Sequence, residues 1–182
     1  MKKNIAILIL ALSSTVLFTA CNEGKETKTG EAETVATAAD TAAMYTVNTD
    51  NTVINWNGSK PTGTHTGTVQ VASGEMAVVE GMIQSGEFTI DMTSIEVTDL
   101  EAGNGKENLE SHLMGTVEGK EGDFFNVNKY PTATFEITGV EGEANNATVK
   151  GNLTIKGKTN NIEFPATVTT SGNTMTLRSS KF

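Results

Sequence analysis

The residues that could do chemistry in this chain are few: one cysteine, Cys21, and two histidines, His65 and His112. A lone cysteine has no internal disulfide partner, and a free thiol is a liability in an oxidising compartment. A thioether to lipid removes that liability, so Cys21 is read as an attachment point. The two histidines are far apart in sequence, with no ligand-spaced partner. A two-histidine metal site completed by Asp91 or Asp123 is an open arrangement, but the spacing does not single it out, and no metal is expected. No nucleophile–base pair stands out, and the 18 glycines are scattered rather than gathered into a phosphate loop. The expectation is a protein that is not an enzyme and uses no cofactor.

The context of Cys21 supports the lipid reading. Met1-Lys2-Lys3 is a short positive start, and Ile5 to Phe18 is an almost unbroken apolar run. A bilayer-spanning helix needs about 20 apolar residues, so the run fits the central region of a signal peptide, with small residues after it. Leu17-Phe18-Thr19-Ala20-Cys21 resembles the lipobox of bacterial lipoproteins, with Phe18 where leucine is preferred. Residues 1–20 are therefore read as a signal peptide, and the chain as exported and held on the envelope membrane by lipid on Cys21, facing the periplasm or the cell surface. From Cys21 to residue 43 the sequence is Glu, Lys, Thr, Ala and Gly with little else apolar, which predicts a flexible tether. Asp40-Thr41-Ala42 resembles an O-glycan acceptor triplet.

The chain carries 13 Lys+Arg against 22 Asp+Glu, a formal net charge of −9. Charge of that sign argues against nucleic acid and against electrostatic adhesion to anionic lipid. Membrane attachment is left to acyl chains, which bind by burying CH₂ groups.

Residues 44–182 form one domain with enough length for a real core. Thr, Val, Ile and Gly dominate, and turn signals recur every eight to twelve residues, the spacing of a sandwich or barrel. Strands are expected at 52–56, 64–71, 76–79, 82–92, 132–138, 149–156, 162–168 and from Met175, with Ser73-Gly74 read as a hairpin turn. Alternation gives each strand one dry face. Phe88 and Ile90, Phe135 and Ile137, Leu153 and Ile155, and Phe164 and Val168 lie on those faces. Lys106–Met114 breaks the pattern: Leu109 and Leu113 at i, i+4 predict a short amphipathic helix, placed as a lid.

Several blocks in order then resemble the YceI-like family. They are Tyr45-x-Val47-x-x-Asp50, Trp56-Asn57-Gly58-x-Lys60-Pro61-x-Gly63-x-His65-x-Gly67, and Phe88-Thr89-Ile90-Asp91-Met92-x-Ser94-Ile95. Leu109-x-Ser111-His112-Leu113, Asp123-Phe124-Phe125-Asn126-Val127, Tyr130-Pro131-x-Ala133-Thr134-Phe135 and Gly151–Thr159 complete the set. The resemblance implies an eight-stranded antiparallel, lipocalin-like β-barrel with a short lid helix, wide enough for one apolar ligand. It departs at Glu110-Ser111, where the family places Arg-Asp. It departs again at Ser180-Lys181-Phe182, where relatives continue into a last strand; a clipped sequence is the favoured reading over an open barrel.

What the resemblance implies is a carrier whose lumen holds a polyprenol, an isoprenoid quinone or a similar lipid. The lumen residues are then Phe88, Ile90, Leu109, Leu113, Phe135, Ile137, Leu153, Ile155, Phe164 and Val168. His65 is expected to reach a ligand head group at the mouth, and His112 to hydrogen-bond at the base of the lid. A different class stays open, a barrel whose apolar residues fill a solid core and which displays a surface to partners.

Overall fold

The computed structural model describes residues 29–180; the expected signal peptide and Cys21 lie outside the described residues. Nine antiparallel strands and one helix follow in order. The strands are β1 (Thr29–Gly30), β2 (Ala43–Thr46), β3 (Val53–Lys60), β4 (Gly63–Val79), β5 (Met82–Val97), β6 (Thr132–Glu143), β7 (Asn146–Ile155), β8 (Lys158–Ser171) and β9 (Thr174–Ser179). The helix α1 (Lys106–Met114) spans the residues expected of it. The all-β class with one helical interruption is therefore observed.

The strand order is β1-β8-β7-β6-β5-β4-β2, with β3 further along the free edge of β4 and β9 further along that of β8. No pairing among the described residues joins β2 or β3 to β9, so the sheet is not closed. It is nevertheless bent round one core. Tyr45 from β2 and Met175 and Leu177 from β9, at opposite ends of the strand order, pack against the same buried cluster.

Two tight turns hold long hairpins in register. Glu80 and Gly81 have φ of 51° and 79°, and Lys156 and Gly157 have 52° and 71°. Two successive positive φ values make the type I′ turn that matches strand twist. Ser73-Gly74 is different. It was expected as a turn, but β4 runs through it as one strand of 17 residues, with a register shift between Val71 and Ser73. The glycine serves close packing there rather than chain reversal.

The segment expected to be a free tether is docked from residue 29 onward. Thr29 and Gly30 pair with Ile162 and Asn161 of β8. The Glu33 N–H donates to Asn152 Oδ1 at 2.9 Å, and Asn152 Nδ2 donates back to the Glu33 carbonyl at 2.7 Å. The Ala36 N–H then bonds the Ile137 carbonyl at 3.0 Å, beside a register shift in the β6–β7 ladder that frees it. The segment thus crosses β8, β7 and β6 on their wet face. Composition could not show this, because backbone groups hold the strap and none of its residues from 29 to 43 is buried.

The core falls into two clusters. One gathers Met76, Val78, Ile83, Ile137, Val149, Ile162, Phe164, Ala166 and Val168. The other gathers Val69, Ile90, Met92, Ile95, Val127 and Ala133 beneath α1. Leu153 packs against both.

Candidate ligand-binding face

All eight strand residues expected to line a lumen lie in or against these two clusters, on the dry face. Their exposure divides them. Ile90, Ile137, Phe164 and Val168 are buried. Ile137, at 1% exposure, is core filling with no free surface for a ligand. Phe88, Phe135, Leu153 and Ile155 are only partly buried and keep apolar surface available. Phe135 is central: its ring lies 6.3 Å from Phe88 and 5.6 Å from Phe164, a tilted row across β5, β6 and β8.

Three aromatic rings of this face rest against glycines. Trp56 is paired with Gly67 and Phe88 with Gly74, and Phe135 lies beside Gly151. A β-carbon added at Gly74 would sit 2.6 Å from Phe88 Cδ1, and one at Gly151 would sit 2.5 Å from Phe135 Cε2. Absence of a side chain is what allows these close approaches. Periodicity marked Phe88 and Phe135 but missed Trp56 and all three glycines. The available signal was the cross-strand pairing of an aromatic residue with glycine, which needs the register.

The helix covers one end. Leu113 and Met114, with Phe125 from the following loop, pack on the second cluster. Leu109, named with Leu113 as a lid contact, is half-buried but joins neither cluster. Of the neighbouring Phe124 and Phe125, only one packs inward. Phe125 does; Phe124 is 43% exposed, with its ring edge-on to His112 at 5.1 Å.

Polar contacts fix the helix more completely than apolar ones. Glu110 accepts the N–H of Val97, the last residue of β5, at 2.9 Å. Lys106 meets Glu96 at 2.9 Å, and the bonded carboxylate raises its pKa. His112 Nε2 is 2.9 Å from Asp123 Oδ2, joining helix to loop. His65 Nδ1 is 2.9 Å from Asp99 Oδ2. The Thr66 N–H donates to the other oxygen of Asp99 and, with His65, holds that carboxyl below the usual aspartate range. His65 and His112 thus sit in two separate pairs at the two ends of the lid segment. Asp91 is engaged elsewhere, accepting from Thr93.

Two cavities are defined. One of about 430 Å³ lies under the β2–β3 connection, against Ser73, Gly74 and the wet-face residues Glu75, Glu87 and Thr89. The other, about 40 Å³, lies near the β4–β5 and β6–β7 turns. Neither is lined by the named lumen residues other than Val168, which borders the smaller one.

A YceI-like domain is matched over residues 45–182. A UPF0312 protein of Pseudomonas paraeruginosa is 44% identical over 54 residues, 30% of this chain and 28% of that one. A UPF0312 protein of Pseudomonas aeruginosa is 47% identical over 47 residues, 26% of this chain and 25% of that one. The chain thus spans little more than a quarter of the length of these curated relatives. Among solved structures, BcnA of Burkholderia cenocepacia is 24% identical, with a TM-score of 0.42 over 70% of this chain and 62% of that one. A Campylobacter jejuni YceI protein is 16% identical, with a TM-score of 0.40 over 87% and 69%.

Proposed function

The chain belongs to the YceI-like domain family, and from that premise we propose that it is a binding protein of the bacterial envelope that holds one long isoprenoid-type lipid on its dry face. It is a carrier rather than an enzyme, attached to the membrane by lipid on Cys21 and facing the periplasm. The observation that carries this reading is the row Phe88, Phe135, Leu153 and Ile155. These residues face the core yet remain only partly buried, between two clusters that are otherwise tightly packed. Apolar surface turned inward and left uncovered is what an apolar chain would cover, at roughly 0.8 kcal/mol for each CH₂ buried. We assign His65 and His112, paired with Asp99 and Asp123, to the polar head group of that lipid.

One observation favours a second reading. Ile90, Ile137, Phe164 and Val168 of the dry face are already buried within the packed clusters, as expected of a filled barrel that only displays a surface. Solvent extraction of the purified protein followed by mass spectrometry separates the two. A stoichiometric isoprenoid supports the carrier; protein that yields no lipid from any preparation supports the display module.

A further inference from the structure

We propose that Gly67, Gly74 and Gly151 set the bore of the ligand site by letting the Trp56, Phe88 and Phe135 rings settle against the sheet, and that this bore selects a methyl-branched chain over a straight one. The inference rests on the carrier reading. Two strands, β4 with Gly67 and Gly74 and β7 with Gly151, place glycines against inward aromatic rings of β3, β5 and β6. In each case a β-carbon would meet that ring before anything else it does not share a strand with, apart from the carbonyl of Glu96 at Gly67. At Gly74 the ring would have to retreat from 2.6 Å to the 3.4 Å where ordinary contact begins, about 0.8 Å, and because the β-carbon would stand between ring and sheet the retreat is away from the sheet. Phe88 and Phe135 are only partly buried, so that direction is the one a ligand would occupy.

A methyl branch widens a hydrocarbon chain at regular intervals, whereas a straight chain is uniformly narrow. Moving rings inward by close to an ångström therefore penalises the branched chain first. Discrimination of about tenfold or more is what one misfitted methyl group costs in an apolar site.

The test uses the full chain in detergent and two probes of equal carbon number, geranylgeraniol and straight-chain eicosanol, with binding read by native mass spectrometry. Gly74→Ala is the principal variant, because its β-carbon would meet the Phe88 ring at 2.6 Å, the Val47 side chain at 2.9 Å and the Glu87 carbonyl only at 3.0 Å, whereas at Gly67 and Gly151 it would also strike a backbone carbonyl, of Glu96 or Glu136, so Gly151→Ala is read beside circular dichroism. Each is expected to weaken geranylgeraniol at least tenfold and eicosanol less than threefold. Gly74→Ala/Phe88→Leu and Gly151→Ala/Phe135→Leu are expected to restore the branched probe. Phe135→Leu alone, which demands no new space, is expected to raise the preference for geranylgeraniol. Equal losses of both probes, no loss of either, or an unchanged preference in Phe135→Leu would each overturn the proposal. Wild-type protein that binds neither probe refutes the carrier reading, and the proposal with it, before any variant is measured.

Discussion

Replacing Asn152 by alanine should release the strap while leaving the sheet and its core standing. Asn152 is 4% exposed, and its side chain satisfies both backbone groups of Glu33, at 2.9 and 2.7 Å. It also accepts from Asn161 Nδ2 at 3.1 Å, but that nitrogen keeps a second partner in Thr138 Oγ1 at 2.9 Å. The net loss is thus close to two hydrogen bonds, at about 1 kcal/mol each, or about 2 kcal/mol. That shifts the docking equilibrium roughly thirtyfold. The freed Glu33 groups return to water, so the larger penalty for a buried unpaired group does not apply to them. Hydrogen exchange reads the result residue by residue. The amides of Glu33 and Ala36 should lose protection by about that factor, while Val149, Leu153 and Phe164 keep theirs. Because a locally opening unit contributes little to global unfolding, the melting temperature should fall by less than the roughly 4–8 °C expected if 2 kcal/mol were lost from the whole domain. Unchanged exchange at Glu33, or exchange rising equally through β7 and β8, refutes the reasoning.

Other perturbations follow from the same geometry. Cys21→Ala should move the protein from the membrane pellet to the soluble fraction or leave it unprocessed, and palmitate-labelled variant in the pellet would count against lipidation there. Phe135→Glu puts a carboxylate on the dry face at a cost of several kcal/mol; co-purified lipid should be lost, with circular dichroism run alongside to separate this from unfolding. Asp99 has a lowered pKa in the folded protein, so its contribution is complete above the ordinary aspartate value of about 3.9 and disappears as pH falls through the lower folded value. Melting curves of Asp99→Asn should therefore lie below wild type at neutral pH and converge with it at the acid end; a gap that widens on acidification contradicts the sign.

Much of the fold was legible because period-two alternation fixes which residues share a face, and that pattern is written in Thr132–Thr138 and Ile162–Val168 without ambiguity. The helix was legible because Leu109 and Leu113 break that period. Ser73-Gly74 misled because a glycine under an aromatic ring has the same local signature as a glycine in a turn; only the pairing of Gly74 with Phe88 tells them apart. The strap was invisible for a related reason. Its attachment uses backbone groups of Glu33, Ala36 and Ala39, and its side-chain partners Asn152 and Gln84 are 119 and 45 residues away. Buriedness was the least legible property. Ile137 and Phe135 occupy alternate positions on one strand face, yet one is 1% exposed and the other offers surface, a difference set by neighbours such as Gly151 that no window on β6 contains.

The balance of forces on α1 bears on how a ligand would enter. No residue of the helix is fully buried, and its apolar contacts with the core reduce to Leu113 and Met114. Its position is set instead by Lys106 on Glu96, Glu110 on the Val97 amide and His112 on Asp123. The Lys106–Glu96 ion pair and the His112–Asp123 hydrogen bond are both exposed, and such contacts add little to stability. The strands beneath it, by contrast, exchange ladder hydrogen bonds along their length and bury both clusters. The cheapest opening of the molecule is therefore displacement of the helix, which breaks weak polar contacts and uncovers Val69, Ile90 and Met92. A long apolar chain threading past the helix would replace the Leu113 and Met114 contacts with its own, so the apolar cost of opening is offset as the ligand enters. That exchange requires the helix to be held mainly by polar contacts, as it is.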